Sequence, residues 1–135
     1  MSHYTGNKRQ DHQPPYVIGQ LGWRYHHMGI PTTKAMPGEK YIAHLKMYVS
    51  GFGTSLYGIE WMRFEENSTV ADIIQTIPHI AFEVDDLDQA LEGKEIISGV
   101  SKPSAGVKVA MILENGAPVE LIEFEANTKF KEKEL

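Results

Sequence analysis

The chain contains no cysteine, which excludes disulfides, thiolate metal ligands and cysteine nucleophiles together. It also lacks any apolar run approaching the ~18 residues of a membrane-spanning helix. Its polar first 20 residues hold no apolar core of the signal-peptide kind. No lysine or arginine cluster marks any stretch, and the formal net charge is −5. Nucleic acid, which demands concentrated positive charge, is therefore not an expected partner. A cytoplasmic protein with no membrane association is the expectation. What is present is ordinary globular stock: 135 residues, 41% hydrophobic and 23% charged, enough to bury one core without staples.

In chain order, residues 1–15 are polar, carry His3 and His12 and end in Pro14-Pro15, which reads as a flexible N-terminal arm. Residues 16–126 read as a single domain and 127–135 as a charged tail. Tyr16-Val17-Ile18 reads as a short strand or a docking segment. Strands are expected over Trp23–Ile30, Tyr41–Val49, Tyr57–Phe64, His79–Val84, Glu95–Val100, Val107–Leu113 and Ala117–Glu125, from period-2 alternation and flanking turn residues. Strict alternation puts Trp23, Tyr25 and His27 on one face of the first strand, and Arg24, His26 and Met28 on the other. Short helices are expected over Thr69–Thr76 and Asp85–Leu91, and Asn115-Gly116 is a hairpin signal. Pro37-Gly38 leaves little room for a helix after the first strand. The predicted fold is α+β, with two approximate repeats, one over about residues 16–68 and the other over about 69–126.

Each repeat carries a histidine early and a glutamate inside a later apolar run. His27 is followed by Glu60 in Gly58-Ile59-Glu60-Trp61-Met62, and His79 by Glu120 in Pro118-Val119-Glu120-Leu121-Ile122. Adjacent strands curled into one concave sheet can bring one side chain each to a common depth. Two imidazoles and two carboxylates so gathered suit a divalent transition metal: zinc, nickel, cobalt, manganese or iron(II). Such an ion acidifies bound water and polarises carbonyl oxygens, and a loosely held carboxylate can move a proton. The competing reading makes the histidines structural and gives the glutamates solvent, because an unpaired buried carboxylate is costly. His26 is expected to point away from His27, and Glu83 and Glu123 to lie at the surface or rim. His44, Tyr48, Met62, Phe64 and Met111 are candidate substrate-pocket residues; Phe124 is another candidate, and an apolar stripe is the alternative for all but His44.

His27-Met28-Gly29-Ile30, Ile59-Glu60, the run His79-Ile80-Ala81-Phe82-Glu83-Val84-Asp85-Asp86-Leu87-Asp88, and Val119-Glu120-Leu121-Ile122-Glu123 resemble the vicinal oxygen chelate superfamily. That group includes glyoxalase I, methylmalonyl-CoA epimerase, extradiol dioxygenases and bleomycin-resistance proteins. The resemblance spans roughly Leu21 to Glu125. It implies two tandem βαβββ modules forming a cupped mixed sheet, here with the first-module helix shortened. It implies His27, Glu60, His79 and Glu120 as metal ligands, with Glu120 or Glu60 abstracting a proton beside a metal-polarised carbonyl. A homodimeric isomerase or lyase acting on a small oxygenated molecule follows from it. The alternatives it leaves are a metal-free binding protein of bleomycin-resistance type and, because Glu60 is present, less readily an iron(II) dioxygenase.

Overall fold

In the computed structural model, which describes residues 8–126, eight strands form one curled mixed sheet with three short helices. The strands are β1 (Arg24–Pro31), β2 (Lys40–Ile42), β3 (Met47–Ser50), β4 (Ile59–Phe64), β5 (His79–Glu83), β6 (Glu95–Ser104), β7 (Val107–Glu114) and β8 (Ala117–Phe124). The helices are α1 (Tyr16–Gly19), α2 (Asp72–Thr76) and α3 (Leu87–Leu91). The strand order is β2-β3-β4-β1-β5-β8-β7-β6. Read outward from the central β1/β5 pair, each half has the same order, with one parallel pair (β1/β4, β5/β8) and antiparallel neighbours beyond it. This is the tandem-module, cupped-sheet α+β architecture expected from the sequence.

The convex face of the second module is covered. Phe82, Val84, Leu87, Ala90, Ala110, Ile112 and Leu121 form its core, with Val17, Ile18 and Trp23 packed against it. The last three explain why Tyr16-Val17-Ile18 is a helical turn and not a strand: after Pro15 the backbone closes from Gly19 N–H to the Pro15 carbonyl and seats two apolar side chains on the sheet. α3 starts where the Asp86 carboxylate accepts the Gln89 N–H at 3.1 Å, an N-cap hydrogen bond, and Glu123 accepts the Leu87 N–H at 2.8 Å. Asn115 and Gly116 both have positive φ, at 50° and 90°, which is what a two-residue hairpin turn of matching twist requires.

A second cluster fills one end of the concave face. Met47 and Met62 are buried there with Ile74 of α2, and Phe64, Ile97 and Met111 pack against them. α2, shorter than the expected 69–76, thus plugs the cup where the two modules join.

Four expectations are corrected. The single strand over 41–49 is two short strands, because Ala43–Leu45 form a 3-10 turn and Lys46 takes a left-handed φ of 52°. No helix, not even a shortened one, lies between β1 and β2; residues 32–39 form turns. Their end is tied to the sheet by the Arg63 guanidinium, which donates two hydrogen bonds to Glu39 at 2.7 and 2.8 Å and lies 4.0 Å over the Tyr48 ring. β6 does not stop at Val100 but runs to Ser104, absorbing the Pro103 region through three register shifts against β7. The fourth is in β1. Tyr25 pairs with Phe82 and His27 with Ala81, so His26 is an extra residue in a β-bulge and the alternation restarts after it. Residues 8–15 are exposed, His12 included, while His3 and the charged tail lie outside the described residues.

Candidate metal centre

Register positions the four expected residues. In the parallel β1/β4 pair Gly29 stands opposite Glu60, and in the β5/β8 pair Ala81 stands opposite Glu120. The two modules therefore place their glutamates at the same level relative to the residue two after each histidine. Across the seam between modules, antiparallel pairing sets Gly29 opposite His79 and Ala81 opposite His27. Each imidazole thus lies beside a small residue of the other module. A Cβ built on Gly29 would collide with Cε1 of His79 and fall 2.6 Å from its Nδ1, so the glycine makes room for the ring.

The side chains converge. Nε2 of His79 lies 3.1 Å from Oε1 of Glu120, and Nε2 of His27 lies 3.4 Å from the same oxygen. Glu60 Oε1 lies 3.7 Å from His27 Nε2. Donor atoms of His27, His79 and Glu120 all fall within 4.8 Å of one another; Glu60 does not join that group of three. Both histidines are buried, at 5% and 3% exposure, and both carboxylates are about one-fifth exposed. Among the described residues neither glutamate pairs with a lysine or arginine.

Environment separates the two carboxyl groups. Burial raises Glu60 above the ordinary carboxyl range, with the nearby Glu120 charge adding to the effect and the histidines opposing it. Burial would raise Glu120 as well, but hydrogen bonds from His27 and His79, with their charge, outweigh it and hold the group at about 2. Glu120 is the carboxylate that stays ionised.

This donor set fits a divalent cation. Ligands at ~2.0–2.2 Å from one ion at 90–110° stand about 3.0–3.5 Å apart. The two contacts to Glu120 match that spacing, and the contact to Glu60 is slightly looser. The buried His79 ring makes its one hydrogen bond among the described residues through Nε2, directed at the shared oxygen, while its Nδ1 has no partner. His27 is held from behind: its Nδ1 lies 2.8 Å from Nδ1 of His26, a hydrogen bond in which one ring donates.

A cavity of about 690 Å³ opens over His27 and Glu120. Its lining includes His26, Phe52, Glu83, Val109, Ile122 and Phe124. His26 belongs on this concave side with His27, contrary to strict alternation, because the bulge admits both. Glu83 is at the cavity, paired with Arg24 at 3.0 Å, and Glu123 is on the opposite face against α3 and Lys108. Of the expected pocket residues only Phe124 is part of the cavity wall. Met62, Phe64 and Met111 belong to the hydrophobic plug below, Tyr48 stacks on Arg63, and His44 is exposed in the 3-10 turn. Their displacement follows from the broken 41–49 strand and from α2 occupying that end of the cup. Phe52, missed from sequence, sits in the Gly51-Phe52-Gly53 turn between β3 and β4.

No family model matches the chain, and no curated protein matches it in sequence. Among solved structures it is similar to methylmalonyl-CoA epimerase from Mycobacterium tuberculosis, at 18% identity over 79% of this chain and 91% of that one, with a TM-score of 0.53. A hypothetical protein from Bacillus halodurans aligns at 18% identity over 82% and 83% of the two chains with a TM-score of 0.47. TioX from a Micromonospora species aligns at 15% identity over 80% and 82% with a TM-score of 0.31. The first likeness supports the glyoxalase-like fold; the other two are too weak to add to it. Among the described residues no helix is long and apolar enough to cross a membrane.

Proposed function

We propose that the protein is a divalent-metal-dependent enzyme of the glyoxalase/epimerase type, moving a proton on the carbon beside a carbonyl of a small oxygenated metabolite. The observation that carries this reading is the convergence of His27, His79 and Glu120 on one point with Glu60 standing apart. His27, His79 and Glu120 would hold the ion, with Glu60 as the fourth, looser ligand. Zinc, nickel, cobalt, manganese or iron(II) bound there would supply Lewis acidity to a carbonyl oxygen. Glu60, which among the described residues pairs with His27 at 3.7 Å, is the freer carboxylate to take a proton and return it; Glu120, shared between two imidazoles, is the anchor. Sharing a fold with an epimerase is in keeping with isomerase chemistry, and lyase chemistry would use the same groups. A homodimer in the cytoplasm completes the reading; light scattering on the full chain measures the first part.

Elemental analysis of protein purified without chelator tests the proposal. A stoichiometric transition metal is expected, lost in Glu120→Gln and retained in Glu123→Gln. No metal as purified and none on reconstitution would leave only a metal-free binding protein on this scaffold. Equal behaviour of the two variants would overturn the ligand assignment.

A further inference from the structure

The cavity above the histidines differs from its floor in chemistry. Phe52, Val107, Val109, Ile122 and Phe124 form most of the wall, and no lysine or arginine is among the lining residues. The charged groups that do line it, Glu83 and Glu120, are both acidic. Arg24, the nearest guanidinium, is occupied by Glu83 at 3.0 Å and Asp85 at 2.9 Å. Glu83 is thus neutralised by Arg24 and Glu120 is committed to the candidate metal centre, so the wall itself offers an anionic ligand no free lysine or arginine, and burying its charge against the apolar side chains there is unfavourable. A coenzyme A thioester, with its phosphates, is a poor match for this chain.

The aromatic groups point to what is a good match. The His26 ring lies between Phe52 and Phe124, with centroids 5.4 and 5.5 Å away and interplanar angles of 34° and 37°. These three rings, in tilted contact, present an aromatic wall beside the His27 ring. We infer that the cavity takes a flat, uncharged, apolar or aromatic body whose adjacent oxygen atoms face the His27–His79–Glu120 group. At about 690 Å³ the space is within the range of small-ligand pockets and holds a ring system with substituents. The oxygen-bearing end rests on the function proposed above; the ring-binding wall does not.

Isothermal titration of the zinc-loaded full chain with three probes tests this. Benzohydroxamic acid supplies a ring and paired oxygens, acetohydroxamic acid the same oxygens without the ring, and acetyl-coenzyme A the anionic alternative. Benzohydroxamic acid is expected to bind at least about tenfold tighter than acetohydroxamic acid, the gain from burying one ring. Acetyl-coenzyme A is expected not to bind. Phe124→Ala should reduce the ratio towards one while zinc content stays unchanged, and Phe52→Ala, at an exposed turn, does the same if the first variant fails to fold. Equal affinity for the two hydroxamates, or salt-sensitive binding of acetyl-coenzyme A, would overturn the inference. Should the protein take up none of zinc, nickel, cobalt, manganese or iron(II), the proposed function fails separately, and benzamide against acetamide on the metal-free chain then reads the wall alone. A preference for benzamide supports it and equal binding refutes it.

Discussion

Gly29→Ala is the most direct perturbation of the centre, since it adds one methyl group and replaces no candidate ligand. The backbone at Gly29 lies outside the left-handed region, so alanine meets no conformational obstacle. The effect is therefore steric. The new Cβ would stand 2.6 Å from Nδ1 and 2.8 Å from Nε2 of His79, where ordinary contact begins at 3.4 Å, so the ring must retreat by about 0.8 Å or more. His79 is 3% exposed and its far side is packed, so the retreat is resisted. Overpacking of this kind costs about 1–3 kcal/mol, roughly 4–12 °C in melting temperature for a domain of this length. A displacement near 1 Å in a ligand lowers metal affinity on the order of 10- to 100-fold. The check is a double-mutant cycle read by denaturant unfolding and by metal titration. In a His79→Ala background the same Gly29→Ala change should be neutral or stabilising by ~0.4–1 kcal/mol, because the clash is gone and the unfolded chain is stiffer. An alanine at position 29 that alters neither stability nor metal uptake would refute the packing of His79 over Gly29, and with it the cross-module pairing on which the site depends.

Two further predictions concern charge. In metal-stripped protein at pH 7, Glu60→Gln should raise the melting temperature and Glu120→Gln should lower it. A carboxyl raised by burial costs stability above its folded pKa, whereas one held low by its partners contributes stability above the ordinary value of 4.5 and loses it as pH falls towards about 2. Thermal scans at pH 7 in which both variants shift in the same direction would contradict that separation. Glu39 is held below its usual range chiefly by the hydrogen bonds from Arg63. Its pair is accordingly formed above pH 4.5 and lost as pH falls through the lowered value. Glu39→Gln should melt below the wild type at pH 7 and coincide with it in strong acid; a gap that persists there would mean the loop over 32–39 is held by something else.

The sequence carried the modules because alternation and turn chemistry are local signals. Asn115-Gly116, the Asp86 cap and the strand cores around Glu60 and Glu120 each announce themselves within a few residues. The candidate site was legible for a related reason: a glutamate between Ile59 and Trp61, or between Val119 and Leu121, needs a partner, and equivalent strands supply one. A longer-range signal was also there. His27-Met28-Gly29 and His79-Ile80-Ala81 are the same pattern, a histidine and then a small residue two positions on, and the small residue is what the other module's ring requires. What could not be read locally was competition for the cup. Met62, Phe64 and Met111 have the parity of pocket residues, yet α2 reaches over from the inter-module connection and turns that end into core. Lys46 in a left-handed conformation, breaking the 41–49 strand, has no local signature at all.

The two modules are alike in topology and unlike in electrostatics, and the bulge at His26 marks the point in β1 where they part. β5 has no counterpart to that extra residue: Glu83, Phe82 and Ala81 run continuously opposite Arg24, Tyr25 and His27. Removing His26 would therefore join Tyr25 directly to His27 without changing which face any ligand occupies, since the alternation on both sides already matches β5. Deletion inside a paired strand normally turns every later side chain to the wrong face. Here the chain lacking His26 is expected to fold with wild-type strand content by circular dichroism and still bind metal. Its affinity should fall to that of His26→Ala, on the order of tenfold or more below wild type, because both lose the ring that holds His27 Nδ1 at 2.8 Å. Deletion of Met28, one position beyond His27 and outside the bulge, should instead abolish metal uptake by turning one side of the strand out of phase. If the two deletions are equally damaging, the extra residue is not at position 26, and the account of how His26 and His27 come to share one face fails.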